Sequence, residues 1–280
     1  WLEYEWRFKS KHWGGRKFQQ PRWYGEDAAG KNILIPCEQG LGDTIQFIRY
    51  LPELQRHGVK VVFECAADLK SLLQGFPGID LLIDWPRGSA VESGVDFYVP
   101  MMSLPMHFGT TLASIPSRIP YVVAAPQIAE VWTERLAKPG VKIGLVWSGN
   151  PRNLKDRFRS CKLADFAPLA KVPGVTLYSL QKGASADKAT RPPDGMQVID
   201  LSARLTDFSQ TAGAIAHLDL IVTVDTSVAH LAGAMGRPVW TLLPYSPDWR
   251  WMLVREDTPW YPTMRLFRQE RSGDWSGVFH

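Results

Sequence analysis

The sequence of 280 residues predicts an α/β protein built from two Rossmann-like domains facing a cleft. Three observations predict it. Short runs rich in β-branched residues alternate with helical patterns twice along the chain, as in parallel sheets covered on both faces. One such run, Leu220–Val224, ends in Asp225, with Thr226 and Ser227 standing where a helix should begin. Hydrophobic residues make up 45% and charged residues 21%, which describes a globular chain with ample core.

The elements follow in order. Residues 1–30 lack a strand pattern and are rich in Trp, Arg, Lys and Gly, so they read as the end of a preceding helical element and a linker. The first domain spans 31–137. It opens with strand Ile33–Pro36, turns through Glu38-Gln39-Gly40-Leu41-Gly42-Asp43, and enters a helix carrying Ile45, Ile48, Leu51 and Leu54 on one face. Pro52 inside that run should kink or divide it. Strands follow at Val59–Glu64, Ile79–Ile83, Asp96–Val99 and Tyr121–Val123, with a helix over Asp68–Leu73. A connecting helix, Gln127–Leu136, leads to Lys138-Pro139-Gly140. The second domain, 138–262, holds strands Lys142–Trp147, Val175–Leu180, Gln197–Leu201, Leu220–Val224 and Val239–Leu243 and helices Leu163–Ala170, Asp207–His217 and Val228–Met235. The tail, 263–280, is expected to return to the first domain.

Composition narrows the function classes. Net charge is +4 and the cations are scattered except near Lys155–Arg159, so a nucleic-acid track is not expected. No apolar run approaches ~18 residues, which excludes a transmembrane helix. Three widely spaced cysteines, Cys37, Cys65 and Cys161, form no zinc pattern and read as buried free thiols of a cytoplasmic protein. The chain opens on Trp1 rather than Met and reads as an excised fragment or a processed product. Its 12 tryptophans cluster toward the ends, at Trp1, Trp6, Trp13 and Trp23 and again at Trp240, Trp249, Trp251, Trp260 and Trp275. Such rings fill cores and interfaces or stack on sugars and bases.

The chemistry concentrates where strands end. The first turn of a helix carries unpartnered N–H groups and partial positive charge, so the helix after Asp225 is a diphosphate seat at the carboxyl end of a parallel strand. Ala229, Ala232, Gly233 and Ala234 let it lie close to the sheet, and His230, one turn in, is placed to face the same anion. Otherwise Asp225 or Thr226 only caps the helix and His230 is an ordinary satisfied side chain. Gly40 and Gly42 permit a tight turn and close ligand approach. With Ile45 at the third small position the turn is a poor dinucleotide fingerprint, which disfavours NAD. Asp43 either caps its helix or takes a proton from a hydroxyl nucleophile. The loop Trp147–Ser160 carries Lys155, Arg157 and Arg159, with Asp156 to orient one of them. It reads as a diphosphate clamp or as a solvated basic loop. Lys182, after strand Val175–Leu180, would reach the crevice edge of Asp225 if strand order is typical. Pro247–Trp251 supplies polar and aromatic walls or an interdomain surface.

Taken together, Glu38–Asp43, the Gly-Leu-Val-Trp-Ser-Gly-Asn-Pro segment at 144–151, Ser179–Gly183 and Asp225–His230 resemble a known family. They are similar to bacterial glycosyltransferase domains that follow tetratricopeptide repeats, to the heptosyltransferases (glycosyltransferase family 9-like) and, more distantly, to O-linked N-acetylglucosamine transferases. The resemblance spans residues 30–270 and implies a GT-B architecture preceded by a helical N-terminal remnant, Trp1–Arg7, of an upstream repeat array. It implies a metal-independent, inverting transfer of a hexosyl or heptosyl group from a nucleotide-sugar to a saccharide or protein hydroxyl. Asp43 would be the base, in a cleft loop with Gln39, Gly40 and Gly42. Lys155, Lys182, Asp225, Thr226, Ser227 and His230 would bind the donor. Ser227 stands where heptosyltransferases often carry Gly, and no Asp-x-Asp metal motif is present. No metal and no cofactor is expected. Two other functions fit the same fold: a catalytically silent nucleotide-sugar-binding or protein-interaction module, and a nucleotide-sugar epimerase, which needs no acceptor.

Overall fold

The computed structural model describes residues 1–10, 17–85 and 94–279, so Trp13 lies outside the described residues. The chain packs into two units, Trp1–Pro116 and Ser117–His280.

In the first unit a 3-10 helix, Glu3–Lys9, precedes strand β1 (Asn32–Ile35) and helix α1 (Leu41–Phe47). A 3-10 step, Ile48–Tyr50, then separates α1 from α2 (Leu51–Arg56), with Pro52 in the first turn of α2. The ring lacks the N–H an inner turn needs, so the run divides there. Then follow β2 (Lys60–Cys65), α3 (Ala67–Leu73), β3 (Leu81–Asp84), β4 (Phe97–Tyr98) and α4 (Leu104–His107). The described strands pair in parallel in the order β3-β2-β1-β4. Val61 and Phe63 on one face of β2, and Ile33 and Ile35 on β1, are fully buried.

The second unit begins with α5 (Pro126–Arg135), β5 (Val141–Val146), α6 (Asp156–Arg159), α7 (Ala167–Ala170), β6 (Val175–Ser179) and β7 (Val198–Asp200). It continues through α8 (Phe208–Ile215), β8 (Leu220–Val224), α9 (Ser227–Ala234), β9 (Val239–Leu243) and β10 (Met264–Arg268). Its described strands are all parallel, in the order β10-β9-β8-β5-β6-β7. Ile143, Leu145, Leu177, Val222, Val224 and Leu242 share one core with Trp147, Leu163 and Phe166.

Small residues set how near the helices come. A Cβ on Gly213 of α8 would lie 2.6 Å from the Trp132 ring, and one on Gly233 of α9 would lie 2.6 Å from the Tyr261 ring. The small-residue stripe of α9 thus serves in part to admit Tyr261. An Asp just before a strand also recurs as a register pin. Asp80, Asp96 and Asp219 accept from the N–H groups of Val61, Asn32 and Lys142, each at 2.8 Å, at the start of a neighbouring strand.

Four expectations change. The boundary falls at Pro116/Ser117 rather than 137/138. The reason is that α5 packs on α8, where the Trp132 indole donates to Gln210 Oε1 at 3.1 Å. Tyr121–Val123 is not a strand: the N–H groups of Tyr121 and Val122 both donate to Ala234 O at the end of α9. The tail does not leave the second unit, since β10 extends its sheet and Phe279 packs edge-on against Phe166. Residues 1–10 and 17–30 pack within the first unit instead of standing off as a linker. Trp1 donates its indole N–H to Thr110 O at 2.6 Å, and Arg7 Nε donates to Glu38 Oε1 at 2.8 Å. All three cysteines are free, and burial pushes the Cys65 thiol up to about 12.

Candidate functional site

The second unit gathers charge at the carboxyl edge of its sheet. Gln181, just past β6, grips the loop after β5. Its Oε1 accepts from the N–H groups of Trp147 (3.0 Å) and Ser148 (2.9 Å), and its Nε2 donates to Ser148 O (2.9 Å). Farther along the loop, the N–H of Gly149 donates to Ser160 Oγ at 3.0 Å, which donates in turn to Asp156 Oδ2 at 3.0 Å. Arg159 Nε donates to the other oxygen, Asp156 Oδ1, at 3.1 Å. A Cβ on Gly149 would lie 2.3 Å from Asp156 Oδ1, so only glycine leaves room for this ion pair. Asp156 is buried and orients Arg159, not Lys155. Lys155 is the exposed residue before α6 and, with Arg152 and Arg157, forms a solvated cationic rim.

Asp225 ends β8, partly buried. Burial holds its carboxyl above the usual range, against the opposing pull of Arg250 and the Trp251 indole, with Arg159 also within electrostatic reach. Arg250 is buried and donates to Asp248 Oδ1 at 2.7 Å, with its guanidinium 5.6 Å from the Trp249 ring. Thr226 is extended before α9 and gives that helix no side-chain cap; its hydroxyl lies 3.2 Å from Thr223 Oγ1. Within the first turn of α9, with partly exposed Ser227 at its head, Ala229 N–H donates to Thr226 O at 3.0 Å. His230 is buried, with Nδ1 2.9 Å from the Tyr261 hydroxyl and its ring stacked on Trp251 at 5.3 Å.

Asp225, just before α9, thus lies within electrostatic reach of both Arg250 and Arg159. Lys182 does not join them. It follows β6, and β5 lies between β6 and β8. Its Nζ donates to Ser202 O at 2.8 Å, past the end of β7 on the far side. The sequence names Arg159 among the three cations of its loop, with Asp156 to orient one, and places Arg250 within the Pro247–Trp251 wall, but it does not single out either as a donor-binding residue. The Asp two residues before Arg250 is the signal that could have singled it out.

In the first unit, Asp43 stands at the third position of α1, and its Oδ2 accepts from the N–H of Gly40 at 2.9 Å. Gln39 adopts the left-handed region at φ 59°, which costs a residue with a Cβ roughly 1–2 kcal/mol. Its amide donates to the Tyr4 hydroxyl at 3.1 Å. Glu38 is buried; desolvation raises its carboxyl above the usual range although Arg7 opposes this. Gly40 is exposed, and Gly42 is partly exposed in the first turn of α1.

Among the described residues no group of three or more His, Cys, Asp or Glu side chains is placed to hold a metal ion, and no helix is long and apolar enough to cross a membrane.

Residues 169–272, all in the second unit, match the model of glycosyltransferase family 9 (heptosyltransferase). The chain is 28% identical over 303 residues to the protein FlbA of Caulobacter vibrioides, covering 98% of this chain and 50% of FlbA. It therefore spans about half the length of the curated relative it matches. Among solved structures it is similar to the family 9 glycosyl transferase of Veillonella parvula, with a TM-score of 0.64, 13% identity and 88% of each chain covered. It is also similar to the ADP-heptose lps heptosyltransferase II of E. coli, with a TM-score of 0.59, 16% identity, and 85% of this chain and 90% of that one covered. At these identities the structural likeness is one of fold: α/β with parallel sheets, as in glycosyltransferases of family 9.

Proposed function

We propose that this chain, whose second unit matches the family 9 glycosyltransferase model, transfers a sugar from a nucleotide-sugar to a hydroxyl acceptor by an inverting, metal-independent displacement. The observation that carries the reading is that two carboxylate-oriented guanidiniums, Arg159 and Arg250, both act electrostatically on Asp225, just before the first turn of α9. Two oriented guanidiniums and a set of N–H groups match the charge and bidentate geometry of a diphosphate. They take up the charge that builds on the leaving group, the work a divalent cation does elsewhere. Lys155 adds screened attraction from the rim.

In the displacement the acceptor hydroxyl forms a bond to the anomeric carbon as the bond from that carbon to the diphosphate oxygen breaks. The hydroxyl proton passes to Asp43, and the nucleoside diphosphate leaves with the electron pair. Asp43 also anchors Gly40 N–H through Oδ2. The test is calorimetric titration of the chain with ADP, UDP, GDP and CMP, then of its Arg159→Ala variant. Selective binding of one nucleotide, weakened in the variant, supports the reading; no binding at millimolar nucleotide overturns it.

The engagement of Asp43 as a cap also favours a second reading, a binding module without catalysis. Product analysis with the nucleotide-sugar of the nucleotide that binds separates the two.

A further inference from the structure

We propose that the N-terminal segment Trp1–Lys9 is a working part of the turn that carries Asp43, with Arg7 as its positioning residue. The inference rests on Asp43 being the base, but its geometry stands on its own. Arg7 spends its guanidinium on several partners at once. Nε donates to Glu38 Oε1 (2.8 Å), Nη2 to Ser103 Oγ (2.8 Å), and Nη1 to Glu5 Oε1 (2.7 Å) and Tyr4 O (3.2 Å). Arg22 completes the cluster by pairing with Glu5 and donating to Ser103 Oγ at 3.1 Å. Burial pushes the Glu5 carboxyl up, but the bonds from Arg22, Arg7 and Ser103 outweigh it and hold it below the usual range.

Among the described residues, two carboxylates and two guanidiniums thus form an ion-pair network around Glu38, the first residue of the turn. The next residue, Gln39, is the one in the left-handed region, and its amide reaches Tyr4 of the same segment. The turn is therefore held by the segment at two successive residues, directly before the Gly40–Asp43 capping contact. An unfavourable backbone conformation persists only where its surroundings over-determine it. Buried ion pairs add little stability over apolar replacements. What this network does supply is direction: a cation held by Glu5 and Ser103 against Glu38 fixes where Gln39 turns and so where α1 begins.

Hydrogen exchange on the whole chain tests this, comparing the wild type with Arg7→Met, Arg7→Lys and Tyr4→Phe. The reporters are the amides of Gly40 and Thr44, bonded to Asp43 Oδ2 and Gly40 O. Arg7→Met is expected to speed their exchange by about tenfold or more while β1 and β2 amides keep their rates, as for local opening. Arg7→Lys, which keeps a cation against Glu38, is expected to restore most of the protection. Tyr4→Phe is expected to produce a smaller rise confined to the same amides. A uniform rise across the unit, no rise at Gly40 and Thr44, or no rescue by Lys overturns the proposal. If Arg7→Met does not fold, Tyr4→Phe decides alone, and unchanged exchange in it is the negative result. Exchange needs no substrate, so an Asp43→Asn variant with normal transfer would sink the base while leaving these results to stand.

Discussion

Asp156 sits with one carboxylate oxygen 3.1 Å from Arg159 Nε and the other 3.0 Å from the Ser160 hydroxyl, packed so tightly beneath Gly149 that no side chain fits there. The pair turns one cation of a basic loop into a fixed one. Arg159→Ala should therefore weaken nucleotide binding by roughly 10- to 100-fold, the worth of a charge-assisted hydrogen bond. Lys155→Ala, on the solvated rim, should weaken it less than about fivefold and lose that effect in high salt. Calorimetry of both variants at two salt concentrations checks the ranking.

Gly149→Ala probes the same pair from the backbone. Its methyl would overlap Asp156 Oδ1 and the Arg159 guanidinium. The expected cost is about 1–3 kcal/mol, as for overpacking a buried site, read as a shift of the denaturation midpoint.

His230 divides structural from ligand roles. Tyr261→Phe removes the hydroxyl 2.9 Å from His230 Nδ1 and should cost about 1 kcal/mol of stability. If His230 also serves the donor, His230→Gln should weaken nucleotide binding beyond what Tyr261→Phe does. Equal affinity in the two variants would make His230 a packing residue.

Asp225 predicts a pH dependence. Its carboxyl titrates above the unfolded value in the folded chain, so the folded state binds the proton more tightly. Stability carried by this group is greatest below the unfolded pKa and declines as pH rises through the window up to the folded pKa. Asp225→Asn should flatten that part of the curve. Urea denaturation of both proteins between pH 3 and pH 7, an interval of about the carboxylate range, gives the measurement.

For Asp43, replacement by Asn keeps an oxygen for Gly40 N–H but removes the base. Transfer should fall by roughly 10²–10⁴-fold with nucleotide affinity unchanged. Normal turnover in a quantitative product assay would end the assignment.

The sequence by itself determined the α/β class, the parallel strands and most helix positions, because alternation of apolar runs and helical periods is a local signal. Pro52 divided its helix as read, and Asp225, Thr226 and Ser227 marked the end of β8 and the head of α9. Only the tertiary structure decided the rest. Lys182 belongs to the β7 side because strand order, a long-range property, puts β5 between β6 and β8. The boundary moved to Pro116 because Trp132 finds its partner in Gly213 and Gln210, some eighty residues away in sequence. Among several cations in one loop, Arg159 was selected by a buried carboxylate, while Arg250, in a different loop, is held by Asp248 two residues before it. Spacing along a chain fixes which residues share an element. Which charges share a site depends on burial and on neighbours that the chain brings back from far away.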